Sequence, residues 1–331
     1  MELKNFDAIL ERVPKMSRPM RVILAGSDGE NMLKGIFAAQ EKGLVQPVLV
    51  GDRARTMTVL EQFGLEKEPY TMVDTPPGHN ITQAAIDIIN SGDGDVLMRG
   101  NIPTRDFLMP VLDGKNGLRT ERLMSHVSLC SLPEYPKLLA LSDMTVVIHP
   151  NMTQKKAIIK NTADAPKAFG YDPKLALLSL VENVTFHMQD TVGGPAPWSP
   201  SRVVLPADCE LWGPISYDLI PKQGGRPPGS TMTVPGAAAA LTASSPPTCP
   251  PPTSLVKSWL IHAHAVTCAQ AVGAKVPIAL TSRSWPRRRP ISPPGVLCRA
   301  GRLAEAEPSR RVSLSQEKSA LSFSNFKRPS G

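Results

Sequence analysis

DVLMRGNIPTRDFLMPVLDGKNGLRTERLMSHV, residues Asp95 to Val127, opens with an apolar run, Val96 to Met98, that closes at Gly100. A short continuous apolar run stopped by glycine predicts a buried strand that delivers its C-terminal end to a loop. In an open α/β sheet that end is where ligands sit. The loop offers Thr104, Arg105 and Asp106 at the mouth of a short apolar segment, and Arg119 and Arg122 follow closely in the chain. Guanidinium forks beside a strand end suit a phosphate-bearing substrate. Each arginine taken alone reads equally as a solvated surface charge.

Upstream of this stretch, strand and helix signals alternate. Met20 to Ala25 is a β-rich run ending at Gly26, and Ser27 to Glu30 fits a Ser-x-x-Glu capping box opening a helix. Met32, Leu33, Ile36 and Phe37 fall on one face of that helix, which stops at Gly43. Pro47 to Gly51, a helix to about Phe63, a weak strand near Tyr70 and a helix from Asn80 to Asn90 follow. Such alternation predicts a parallel sheet with helices on both faces.

Downstream, Leu138 to Leu141, Thr145 to Ile148 and Leu175 to Leu180 read as strands, with a helix from Thr153 to Phe169 that Pro166 should kink or end early. Asp143 reads first as a turn residue and second as a site carboxylate. His126 and His149 read as structural histidines rather than ligands.

Charge and proline divide the chain near residue 192. Residues 1–191 hold 21 Lys+Arg against 23 Asp+Glu, a net of −2, whereas residues 192–331 hold 16 against 6, a net of +10. Thirteen prolines fall in the first part and 21 in the second, so the two do not share one globular composition. Five cysteines without a CxxC pair suggest neither zinc nor a disulfide framework, which implies a reduced, cytoplasmic setting. The amphipathic start is too polar for a signal peptide, and no run of about 18 apolar residues predicts a membrane span. Past Val192, aperiodic Pro/Gly-rich segments surround two orderly islands, 209–220 and 255–284. The second island reads as a helix pattern, Gly273, then a strand, Val276 to Leu280, leading into Thr281, Ser282 and Arg283.

LMRGNIPTRDFLMPVLDGKNGLRTERLMSH, MTVVIHP, GPISYDL and above all VGAKVPIALTSRS resemble the phosphate acetyl/butyryltransferase family, in its phosphate butyryltransferase branch. The resemblance covers 1–191 and both islands. It implies an α/β fold of two domains with an interdomain cleft, like the isocitrate and isopropylmalate dehydrogenases, and usually a homo-oligomer. The domains would be 1–150 and 151–284, the second interrupted at about 192–208 and 221–253, with 285–331 as a tail. The implied activity is exchange of a short acyl group between coenzyme A and inorganic phosphate. Acyl-CoA and phosphate are then the small-molecule partners, with no resident cofactor, metal, nucleic acid or membrane.

By the same resemblance Arg283 holds phosphate or the phosphates of coenzyme A, and Ser282 donates a hydrogen bond to the oxyanion of the attacked thioester. Gly100, Thr104, Arg105, Arg119, Gly273, Lys275 and Thr281 are the substrate-binding candidates, with Lys275 readable also as a loop charge. Two positions depart from the family pattern. Met109 stands where relatives carry an arginine, and Trp285 to Pro290 stands where they carry a carboxylate that serves as general base.

The aperiodic segments resemble the family's sequence read in a shifted frame. Met232 to Ala237 can be encoded so that the third base onward reads Asp-Cys-Pro-Trp-Cys. Pro246 to Pro251 and Trp285 to Pro290 give family-like Pro-Asn-Leu-Pro-Thr and Ala-Glu-Glu-Lys-Ala by the same offset. This displaces a nucleic-acid reading of WPRRRP, which lacks aromatic interleaving. Two rivals remain: an inactive product of a damaged frame, and a dinucleotide-dependent dehydrogenase, against which AGSDGEN stands where GxGxxG is needed. Sequencing codons 185–300 should show compensating single-base shifts, and an intact frame with unrelated codons would end the frame-shift reading.

Overall fold

The computed structural model describes residues 5–7, 18–66, 69–147, 150–167, 174–179, 210–219, 239–242 and 252–280. Within them β1 (Met20–Ala25), α1 (Glu30–Glu41), β2 (Val45–Gly51), α2 (Arg53–Gln62), β3 (Thr71–Asp74), α3 (Ile81–Asn90), β4 (Val96–Arg99) and α4 (Thr104–Val111) follow one another as the alternation predicts. The remaining elements are β5 (Ser125–Ser131), β6 (Leu139–Ser142), α5 (Met152–Lys167), β7 (Lys174–Leu178), β8 (Glu210–Ile215), β9 (Ala239–Thr242), α6 (Pro252–His262), β10 (Val266–Val272) and β11 (Ile278–Ala279).

One sheet of eleven strands, in the order β3-β2-β1-β4-β11-β10-β5-β6-β9-β7-β8, runs through all of it. It is parallel from β3 to β11 and again from β6 to β8. The expected parallel sheet therefore holds in two wings and fails between them. Strand β10 is antiparallel to both β11 and β5, and β5 is antiparallel to β6. The connection from β10 to β11 spans only residues 273–277. Parallel partners need a crossover of a dozen or more residues, so a link this short dictates a reversal.

Strand residues alternate between two packed faces. Val22, Leu24, Val96 and Met98 face a core shared with Leu33, Ile36 and Phe37 of α1 and with Ile158 and Ile159 of α5. Ile23, Ala25 and Leu97 face another, with Ala85, Ile86 and Ile89 of α3 and Phe107 and Val111 of α4. Because both faces are covered, Val22 to Ala25 of β1 and Val96 to Met98 of β4 are apolar and buried without a break. Asp95 pins the entry to this wing: Arg18 donates to both its oxygens at 2.6 and 3.1 Å, and the Arg21 amide donates to it at 2.9 Å.

Four local expectations change. Glu30 opens α1 with Gly29 as N-cap and no side-chain cap, so the capping box does not form; the Ser27 hydroxyl pairs instead with that of Thr56 at 2.8 Å. Thr145 to Val147 bend rather than extend, because Asp143 accepts from the amides of Thr145 and Val146, both at 2.8 Å; Ile148 lies outside the described residues. The helix pattern of the second island ends at His262, and Val266 to Val272 forms β10, paired along its whole length with β5. The segment 221–253 is not wholly aperiodic: Ala239–Thr242 pairs between β6 and β7. The other shifted-frame segments lie outside the described residues. Helix α5 carries Pro166 one residue before its last described residue, Lys167, and the rest of the stretch expected to be helical lies outside the described residues.

Strands β1 and β4 meet at glycines. A Cβ on Gly100 would stand 2.0 Å from the Gly26 carbonyl oxygen and 2.8 Å from that of Ala25. Gly100→Ala should therefore lower unfolding stability by about 3 kcal/mol, an overpacking cost at the upper end of the usual range. Gly114→Ala, where nothing lies within 4 Å, should leave the urea midpoint unchanged. Equal midpoints for both variants would refute this account.

Candidate active site

The sheet order reverses between β1 and β4: the chain leaves β1 toward β2 on one side and reaches β4 on the other. Ligands in open α/β sheets bind outside the strand ends at such a point. Here the crevice is built from backbone. Gly100 and Asn101 donate amides to the Ala25 and Gly26 carbonyls at 2.8 and 2.9 Å, which locks the β4 loop against the β1 loop. Gly26 holds this turn at φ +80, in the left-handed region that favours glycine. Helices α1 and α4 start just beyond, with Gly29 and Pro103 as N-caps and no side-chain cap on either. Two sets of first-turn amides thus open at one edge, the electrostatic setting that suits an anion.

Thr104, half-buried, and Arg105, exposed, lie in the first turn of α4 at this edge. Strand β11 runs parallel to β4 with Ile278 level with Leu97 and Ala279 level with Met98. The chain passes from Leu280 into Thr281, Ser282 and Arg283, which lie outside the described residues, as does His149.

The other candidates gather at the opposite end of the same strands. The eight residues of α4, about 12 Å of helix, carry the chain away from Gly100 before Arg119 is reached. Arg119 forms an isolated antiparallel bridge with Ala274, the Lys275 amide donates to the Leu118 carbonyl at 2.9 Å, and the Thr120 hydroxyl donates to Gly273 at 2.8 Å. Gly273, at φ +90, leaves no room for a Cβ, which would meet the Leu123 carbonyl oxygen at 2.5 Å. Lys275 donates to Asn90 Oδ1 at 3.0 Å and to the Gly117 carbonyl at 3.1 Å, so its charge clasps a loop. Closeness in sequence therefore does not put Arg105 and Arg119 in one place.

A pocket of about 430 Å³ opens beside Arg119, lined also by Leu112, Arg122, Leu123, Met124, Val146, Val147 and Gln154. Arg122 donates to Asn161 Oδ1 at 2.8 Å and Asp164 Oδ2 at 2.9 Å, which ties the loop to α5.

Between these two ends lies a buried polar cluster that periodicity does not reveal. Arg99 ends β4 at 5% exposure, with Nη1 donating to the Ile102 carbonyl at 2.8 Å. A cation closing an apolar strand was the available signal. His126 on β5 pairs through Nδ1 with the Thr145 hydroxyl at 2.8 Å, and its amide donates to Asp143 at 2.9 Å. Asp143 thus serves the turn, as its position after a strand suggests, and burial raises its pKa. Burial first, and the Arg99 charge second, push His126 down to about 3. Among the described residues no group of three or more His, Cys, Asp or Glu could hold a metal ion, and no helix is long and apolar enough to cross a membrane.

Comparison with known proteins places this geometry. The family model described as "Phosphate acetyl/butaryl transferase" matches residues 76–192. A phosphate acetyltransferase of Rhizobium meliloti is 31% identical over 268 residues, 80% of this chain and 84% of its own. A phosphate butyryltransferase of Clostridium beijerinckii is 30% identical over 283 residues, 85% of this chain and 92% of its own. The crystal structure of a branched-chain phosphotransacylase from Enterococcus faecalis V583 superposes with a TM-score of 0.68 at 23% identity, covering 85% of this chain and 98% of that one, and shows the same fold.

The histidine makes a pH prediction. An unfolded chain protonates His126 near pH 6.5, whereas the folded one keeps it neutral to about pH 3. Its contribution is complete above pH 6.5 and is lost as pH falls toward 3, by at most about 1.4 kcal/mol per pH unit. Asp143, raised by burial, acts in the opposite sense and is present in both proteins compared. His126→Asn should therefore flatten the decline of unfolding free energy between pH 6.5 and 4. Parallel profiles for the two proteins would refute the neutral, buried histidine.

Proposed function

Since this chain belongs to the phosphate acetyl/butyryl transferase family, we propose that it exchanges a short acyl group, butyryl foremost, between coenzyme A and inorganic phosphate at the crevice where β1, β4 and β11 end. The observation that carries this is the register of β11 on β4, Ile278 level with Leu97 and Ala279 with Met98. Both strands thus run toward the edge where Arg99 and Gly100 follow on β4 and where the chain continues from Leu280 into Thr281, Ser282 and Arg283. Two uncapped helix starts face the same edge, so the crevice is electropositive where phosphate must be held.

In this reading Arg283 and the α4 amides orient phosphate, with Thr104 and Arg105 beside it. A phosphate oxygen attacks the thioester carbonyl carbon, and the carbonyl oxygen gains negative charge that Ser282 stabilises by donating a hydrogen bond. Collapse of that intermediate re-forms the carbonyl and breaks the carbon–sulfur bond. The acyl phosphate and the thiolate of coenzyme A leave, and the thiolate takes a proton from solvent. A thioester is reactive enough for this sequence without a Lewis acid. The reverse direction needs a base to deprotonate the thiol, and in the forward direction the same group in its acid form would protonate the departing sulfur. Trp285 to Pro290 brings none to the place where relatives carry a carboxylate, so solvent must serve in both directions.

The chain as written is accordingly a weak catalyst, and the damaged reading frame is the second reading, favoured by the change from −2 to +10 in charge past residue 191. Missing a general base removes about 10²- to 10⁴-fold. We assign it to the reducing cytoplasm on the strength of its five cysteines, which form no CxxC pair and suggest no disulfide framework, and expect a homo-oligomer.

Phosphate-dependent release of free thiol from butyryl-CoA provides the test. The chain as written should run at least about 10²-fold below one with the alternate frame restored in 221–253 and after Arg283, and Arg283→Ala in the restored protein should abolish turnover. Equal rates for the two would overturn the missing-base assignment. No thiol release from either, with any short acyl-CoA, would overturn the activity itself.

A further inference from the structure

The pocket beside Arg119 lies at the other end of the strands from the Gly26–Gly100 crevice, so it needs an account of its own. Its walls are rigid. Arg119 is held by the bridge to Ala274, the Leu118–Lys275 hydrogen bond anchors the segment before it, and Arg122 is anchored to α5. Its charges are unequal. Arg122 is committed to Asn161 and Asp164, whereas Arg119 is exposed and makes no ion pair among the described residues. Gln154 uses its Oε1 to accept from the Asn151 amide, leaving the side-chain nitrogen outside that cap. The rest of the lining is aliphatic: Leu112, Leu123, Met124, Val146 and Val147.

One uncommitted guanidinium at the rim of an aliphatic pocket matches one anionic head on a short hydrocarbon chain. The nucleotide end of coenzyme A matches it poorly. That moiety brings several phosphates and a flat base, and among the described residues the pocket offers neither a second uncommitted cation nor an aromatic wall. We propose that this pocket binds a short-chain carboxylate, the free acid of a small acyl group, through Arg119. Occupancy bears on β11, because Arg119 bridges Ala274 within the segment 273–277 that turns β10 into β11.

Calorimetric titration of the full chain with sodium butyrate, inorganic phosphate and adenosine 3′,5′-bisphosphate tests this. Butyrate should bind saturably, Arg119→Gln should weaken it about tenfold or more while leaving the melting temperature unchanged, and Arg283→Ala should leave it intact. Phosphate should bind at this pocket more weakly than butyrate. The proposal is overturned if butyrate shows no saturable binding, if Arg119→Gln leaves its affinity unchanged, or if Arg283→Ala is the variant that removes it. It is equally overturned if phosphate binds as tightly with the same Arg119 dependence, or if the bisphosphate proves to be the Arg119-dependent ligand. Butyrate binding needs no turnover, so absence of thiol release would sink the transferase reading and leave this one standing.

Discussion

The crevice where β1 and β4 end depends on two backbones approaching closer than any side chain allows. Gly100 lies against the carbonyls of Ala25 and Gly26, and two amide donations close that contact. With a Cβ in the way the β4 loop would lift off the β1 loop, and the starts of α1 and α4 would no longer share an edge. The steric constraint is thus also an electrostatic one. It aligns two sets of unsatisfied amides whose combined field is what phosphate would experience.

A second constraint acts through topology. After β9 and α6, the chain returns to the middle of the sheet and inserts β10 and β11 between β5 and β4. The seven-pair ladder of β10 with β5 holds that return, and only two pairs tie β11 to β4. Strand β11 is therefore short and is positioned by its neighbours. Gly273, packed on Leu123, fixes where the turn between them falls.

The first wing was legible because its signals are local. Asn80 and Asp52 cap helices, and Met32, Leu33, Ile36 and Phe37 form a buried stripe at helical spacing. Strand β10 was not legible for a physical reason. Covered on both faces, Val266 to Val272 buries Thr267 with Cys268 and Gln270 with Ala271, a repeat of three rather than two, and so imitates a helix. The arginines were misgrouped because a helix intervenes: α4 reverses the chain across the sheet, a distance that spacing in sequence cannot express. Arg99 escaped notice, and His126 was read as structural without its partners, because burial of a polar group is a tertiary fact, set by what α3 and α4 cover. The resemblance supplied the reaction strand, and the register of β11 supplied its neighbour.

Strand β9 carries a different kind of information. Strands β6 and β7 do not pair with each other; Ala239–Thr242 stands between them and bonds to both. Within the described sheet these four residues are the only strand-to-strand tie holding β7 and β8 to the other strands. Hydrogen bonds of a ladder are made by the main chain, indifferent to which side chains a codon specifies, provided they are small and none is proline. An alanine-rich tetrapeptide can therefore bridge the sheet whatever residues surround it, and a change of reading frame there would erase chemistry well before it erased architecture.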